Sequence, residues 1–218
     1  GLALQSELEF RRALASGRRD VLVRQLLNQF RQYFVTASII KLEKLVVYDA
    51  DYRPQGTANA GSTVASNDAP GCPTLIDRAR VRTGAERVQS LAALCLNNYQ
   101  ARYTVLVPVN GLKPTGYLEI VTDPAPMLAH IESKLGFPVR IRDARDRRIF
   151  SSEAWPPPNA MHNTLVAEHV LTTTTGEPAL KIAVLRDVEL LQQGLAKTRW
   201  LVMVLAIATT LLGVILAL

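Results

Sequence analysis

Val46-Val47-Tyr48-Asp49-Ala50 is a strand-like run that stops at an Asp-Ala turn, and Arg140-Ile141-Arg142-Asp143-Ala144 repeats that pattern later in the chain. Working outward from each, the same order of elements appears twice. A helix precedes the run, a strand returns after the turn, and a hairpin completes the cycle. Val23, Leu26, Leu27, Phe30, Phe34 and Ala37 have the spacing of a helix with one buried stripe. Leu4, Leu8 and Leu14 predict an earlier helical stretch, interrupted near Ser16-Gly17. After the Asp49-Ala50-Asp51 turn, the chain returns from Arg53 to Thr57, and Asn59 to Pro73 has the composition of a loop. Leu75 to Leu96 reads as helical, with its arginines outside. Tyr103 to Val109 and Gly116 to Val121 alternate as strands joined through Asn110-Gly111 and Pro114.

In the second cycle, Pro126 to Leu135 predicts a short helix ended by Gly136. Val139 to Arg142 is a half-buried strand, Asp143 to Asp146 its turn, and Arg148 to Ser151 the return. Leu165 to Leu171 and Ala179 to Leu185 form a hairpin, with Leu180, Ile182 and Val184 on one face. Asp187 would cap a helix with the stripe Val188, Leu191 and Leu195. The expected fold class is therefore α+β, with two lobes that each carry a small antiparallel sheet. A long N-terminal helix (1–38) leads into a first lobe (39–123) and a second lobe (124–186), then an exit helix and span (187–218). Asn59 to Tyr99 is an insertion in the first lobe that the second lacks.

Trp200 to Leu218 contains no charge, no proline and one glycine, and as a helix it spans about 28 Å. It reads as a transmembrane helix, and with Asp187 onward it would make one rod of about 48 Å. No secretory leader opens the chain at Gly1, and an earlier span is expected upstream. Lys197 and Arg199 before the span favour a cytoplasmic soluble part under the positive-inside rule. Cys72 and Cys95 suit an oxidising compartment and could close a loop over the first lobe, or stand as two unrelated buried thiols. The net charge of +6 is scattered, without a basic stripe interleaved with aromatics, so nucleic acid is not the expected partner.

Little in the sequence points to catalysis. His130, His162 and His169 are the only histidines and lack the spacing of a zinc protease. There is no Gly-rich phosphate loop and no Gly-x-Ser-x-Gly elbow. Asp143, Arg145, Asp146, Arg147 and Arg148 read as a solvated hairpin tip. No enzyme activity, metal or cofactor is expected of this segment.

Lys44 to Ala50, Thr104 to Val109 with Gly116 to Asp123, Phe137 to Asp143 and Ala179 to Asp187 together resemble the extracytoplasmic Cache or PAS-like sensor regions of bacterial membrane receptors. The resemblance covers nearly the whole chain, as a pattern of elements. It implies a soluble part in the periplasm, anchored in the bacterial inner membrane. It also implies a homodimer, for which the Val23 to Ala37 helix is a candidate interface. A missing HAMP linker would lead to an output module for cyclic-di-GMP turnover, histidine phosphorylation or chemotaxis. In PAS-like lobes the inserted segment lines the ligand pocket. This points to Arg80, Arg82 and Tyr99 from the insertion, with Tyr103, Tyr117 and Asp123 from the sheet. Arginine forks suit a carboxylate, and tyrosines supply walls and hydroxyls. The Tyr, Arg, Trp and Tyr cluster of amino-acid sensors is missing: Trp155 and Trp200 are the only tryptophans. The implied ligand is a carboxylate or another small molecule. The competing reading is a single-pass or tail-anchored scaffold protein with no small ligand.

Overall fold

Helix α1 (Leu8–Ala15) stops where Ser16-Gly17 predicts. The Arg18 N–H bonds the Ala13 carbonyl at 3.0 Å and the Gly17 N–H bonds that of Leu14 at 3.3 Å, so two end carbonyls are satisfied as the chain turns. Helix α2 (Arg19–Thr36) follows at once and buries Leu22, Leu26 and Phe30, one per turn. That stripe packs with Phe10, Ala13 and Leu14 of α1 on one face of the first sheet. The computed structural model describes residues 8–36, 40–59, 69–111, 113–157, 159, 161, 164–188, 199–200 and 202–206. Leu4, and the side chains of Phe34 and Ala37, lie outside what is described.

The first sheet has the order β2-β1-β5-β4-β3 and is antiparallel throughout. Its strands are β1 (Lys41–Asp49), β2 (Pro54–Asn59), β3 (Leu91–Asn97), β4 (Gln100–Val109) and β5 (Gly116–Asp123). Leu45, Val47 and Leu118 face α1 and α2, while Val46, Tyr48 and Tyr117 face helix α3 (Pro73–Arg80). Both faces are covered, so Leu45 to Tyr48 is apolar without alternation.

The stretch read as a helix from Leu75 to Leu96 is corrected by the structure. Only α3 is helical there; a 3₁₀ turn at Gly84–Val88 and then β3 follow. Ala93 and Cys95 join the core beneath α3, whereas Leu94 and Leu96 point the other way into the core of the second sheet. A strand buried on both faces is a continuous apolar run, which periodicity cannot separate from a helix. Its hairpin partner β4 begins at Gln100, paired with Asn97 across Asn98-Tyr99, both at positive φ (49° and 64°).

The second sheet has the order β7-β6-β9-β8, from β6 (Val139–Asp143), β7 (Arg148–Ser151), β8 (Thr164–Thr172) and β9 (Pro178–Asp187). Matching β6, β7, β8 and β9 to β1, β2, β4 and β5 makes it the first sheet without its β3. Between the sheets the predicted helix is in two pieces, α4 (Ala125–Ala129) and α5 (Ile131–Leu135), broken at His130. Asp187 is the last residue of strand β9, and the helix it is expected to cap lies outside the described residues. Leu191, Leu195 and most of the apolar run to Leu218 lie outside the described residues. Trp200 and residues 202–206 are helical and exposed, and no helix among the described residues is long and apolar enough to cross a membrane.

The repeat extends to atomic detail in the turns. Asp49 Oδ1 accepts from the N–H groups of Asp51 and Arg53, both at 2.9 Å, and the third turn residue, Tyr52, has φ 61°. Asp143 Oδ1 accepts from Arg145 and Arg147, both at 2.9 Å, with Asp146 at φ 61°. Thr173 Oγ1 plays the same part for Thr175 and Glu177 in the β8–β9 turn, with Gly176 at φ 85°. Alanine at Asp143 is expected to lower stability by about 1–2 kcal/mol in urea titration, since two backbone donors lose their acceptor. Burial acts to raise the Asp143 carboxyl, but the Arg147 and Arg145 N–H groups and the Arg147 guanidinium outweigh it and hold it below the usual carboxylate range. A carboxyl depressed in the fold contributes stability above its unfolded value, about 3.9, and loses it as the pH falls through the folded value. The gap between wild type and Asp143→Ala should therefore be full at neutral pH and close in acid.

Candidate functional site

Two polar groupings stand out, one under the cover of the first sheet and one between the sheets. Under the cover, Glu119 of β5 is fully buried. Its carboxylate accepts from the Cys72 N–H at 2.8 Å, the Gly71 N–H at 3.0 Å and the Tyr48 hydroxyl at 2.6 Å. Burial, and the Glu119 charge beside it, push the Tyr48 phenol above its ordinary value. Gly71 lies so close to the sheet that a Cβ there would stand 2.2 Å from Val121 Cγ2. Cys72 is joined to Cys95 of β3, with Cα atoms 5.9 Å apart. Nearby, Tyr52 and Tyr117 stack at 4.4 Å, and Arg87 bonds the Tyr117 hydroxyl at 3.3 Å and the Ala50 carbonyl at 2.8 Å. Burial and the adjacent Tyr117 raise the Tyr52 phenol to about 12. This face is held together by its own side chains and the loop above it.

The second grouping lines a cleft of about 360 Å³ between the two sheets. Lys41, Glu43, Gln100, Arg102 and Asp123 come from the first sheet, and Asp143, Arg147, Arg148, Ile149 and Leu180 from the second. Three cations are paired with carboxylates. Lys41 meets Asp123 at 3.1 Å, Arg147 meets Asp143 at 2.7 Å, and Arg102 is bonded to Glu43. Among the described residues, Arg148 has no such partner. Burial raises the Glu43 carboxyl, Arg102 opposes it and Asp123 adds to it, and the net effect is upward. On its flanks the lobes touch twice more: Arg145 lies over the Tyr99 ring, 3.3 Å from its centroid, and Thr74 Oγ1 approaches Thr174 Oγ1 at 3.5 Å.

The six residues singled out from the sequence fall in separate places. Arg80 is exposed on α3, paired with Asp77 at 3.3 Å, and Arg82 bonds the Gln89 carbonyl at 3.0 Å. Tyr117 is buried in the stack with Tyr52. Tyr99 is a turn residue against the second lobe, and Tyr103 lies on the opposite side of the sheet, in an apolar groove with Leu42, Val105 and Ile120. Asp123 alone lines the cleft. Sequence reasoning missed Glu119, because a lone Glu in an alternating strand gives no sign of which face it occupies. The tip read as solvated is exposed from Arg145 to Arg148, with Asp143 alone buried. What the sequence did not show is that Asp143, Arg147 and Arg148 border the cleft, since the approach of that tip to the first sheet is a tertiary fact. Among the described residues, no group of three His, Cys, Asp or Glu side chains is placed to hold a metal ion.

No protein-family model matches the chain, and no curated protein matches it. Solved structures are similar in fold. One is a domain of a sensory box/GGDEF family protein from Vibrio parahaemolyticus, 12% identical, covering 86% of this chain and 86% of that one at a TM-score of 0.47. Another is the sensor domain of the histidine kinase DctB from V. cholerae, 14% identical, covering 84% and 86% at 0.46. A third is the ligand-binding domain of the Campylobacter jejuni chemoreceptor Tlp3 in complex with L-valine, 10% identical, covering 86% and 89% at 0.42. Each of these is a sensor or ligand-binding domain that the chain is similar to in fold, and in none of the three does the TM-score reach 0.5.

Proposed function

We propose that this chain is the ligand-sensing input part of a membrane receptor, and that the cleft between its sheets takes a small anion such as a carboxylate. The observation that supports this most is Arg148, the one cleft cation without a carboxylate partner among the described residues. With three ion pairs and one further guanidinium, the cleft carries a net positive charge suited to a fork of carboxylate oxygens. Its walls come from both lobes, so a ligand bridging Arg148 and the Lys41 and Arg102 side favours one arrangement of the lobes over another. Leu180 of β9 borders the cleft, and β9 leads to Asp187 and toward the apolar run. Movement there would pass to a periplasmic-side membrane helix and an output module beyond it. No catalysis is proposed for this segment.

Thermal-shift titration of the full chain in detergent with small mono- and dicarboxylates tests the reading. A ligand is expected to raise the melting temperature with concentration. Arg148→Ala, at an exposed position, should weaken that ligand about 10- to 100-fold while leaving the unliganded melting temperature unchanged. Affinity should rise as the pH falls through the raised Glu43 range, since protonation there removes a negative charge and releases Arg102. A shift that survives Arg148→Ala but is lost in Arg80→Ala would move the site under the cover. No shift with any compound would favour the scaffold reading.

A further inference from the structure

Strand β8 is the outer strand of the second sheet, and among the described residues nothing pairs with its free edge. The first sheet shows what the same position can carry, because there β3 runs along the outer edge of β4. β8 is also uncovered on its faces: Leu165, Val166 and Val170 are 59%, 43% and 39% exposed. A long apolar edge strand of this kind is a template for another strand unless something covers it.

The sequence of β8 identifies the strand that fits. Thr164-Leu165-Val166-Ala167-Glu168-His169-Val170-Leu171-Thr172 reads almost identically in both directions about Glu168. Two copies of one strand pair antiparallel about a two-fold axis perpendicular to the sheet, so facing residues must point to the same side. An axis through Glu168 meets that condition. It sets Val166 against Val170, Leu165 against Leu171 and Thr164 against Thr172 of the second copy, and leaves small Ala167 opposite the His169 ring. Like-with-like apolar and threonine pairs are the favourable cross-strand combinations. The two Glu168 carboxylates would repel at the axis, but each is bonded to Arg142 of its own β6. The register break near Thr172 comes from an extra residue in β9, Ala179, and β8 itself is unbroken. The buried stripe of α2, by contrast, is already used on its own sheet.

We propose that β8 pairs antiparallel with β8 of a second copy about Glu168, joining the two four-stranded sheets into one continuous sheet. This holds whether or not the cleft takes a ligand. Cysteine cross-linking of the full chain in detergent, with Cys72–Cys95 intact, tests it. Under mild oxidation Glu168→Cys should link to itself. Val166→Cys and Val170→Cys chains should link when mixed, and neither should link to itself. Because the mixed pair leaves Glu168 and Arg142 in place, it reads the register independently of any disturbance at the axis. Val166→Lys should weaken dimerisation at least tenfold in sedimentation. A monomeric chain, self-linking of Val166→Cys, or a dimer unaffected by Val166→Lys would overturn the proposal.

Discussion

Replacing Glu119 with alanine is expected to lower the stability of the fold by about 3–5 kcal/mol. The substitution leaves two buried N–H groups, those of Gly71 and Cys72, and the Tyr48 hydroxyl without an acceptor, in a place closed to water. It also opens a void between β5 and the loop that carries Gly71. Glu119→Gln should fall between, because one amide oxygen replaces two carboxylate oxygens and the amide N–H₂ faces groups that themselves donate. Tyr48→Phe should be mildest, at about 1 kcal/mol, since the carboxylate keeps its two backbone donors. Urea denaturation followed by circular dichroism gives the order. If Glu119→Ala unfolds within 1 kcal/mol of wild type, this carboxylate does not hold the cover down.

The second large effect belongs to the Cys72–Cys95 bond, which closes a loop with a sequence separation of 23. Chain entropy values such a closure at about 3 kcal/mol. In a folded body of this size each kcal/mol shifts the melting temperature by about 2–4 °C, so reductant or Cys95→Ser should lower it by roughly 6–12 °C. Because Cys72 is both a disulfide partner and a donor to Glu119, the two losses are coupled. Cys95→Ser with Glu119→Ala should destabilise by less than the sum of the two, the shared segment being released already by either. Strict additivity would mean that the disulfide and the carboxylate anchor the cover independently. A melting temperature unchanged in Cys95→Ser would mean that the bond does not hold the cover down.

What could be read ahead of the structure was whatever local chemistry determines. Asp49 and Asp143 announced their turns because a short carboxylate that bonds its own backbone works the same way anywhere. Gly17 and Gly136 marked helix ends for a similarly local reason. β3 was misread because Leu91 to Leu96 owes its apolar run to two separate cores, and the second of these lies across a lobe boundary. The candidate ligand residues were chosen by type and by membership of the insertion. Their positions depend on which face of a strand turns which way, and Tyr103 and Tyr117 of neighbouring strands ended on opposite sides. Glu119 and Arg148 became conspicuous only through what does and does not surround them.

The double-faced strand β3 bears on how this protein could be rebuilt. Leu94, Leu96 and Ala101 of the first lobe lie in one core with Val139, Ile141 and Leu180 of the second. A cut at residue 124, which follows chain order, would therefore pass between two halves of a single apolar cluster. A chimera that grafts the second lobe alone beneath a foreign input would bare Val139, Ile141 and Leu180 to water. One that carries the β3–β4 hairpin along with the second lobe would keep that cluster closed. For exchange between proteins, the transferable unit is the second lobe together with the hairpin that roofs it.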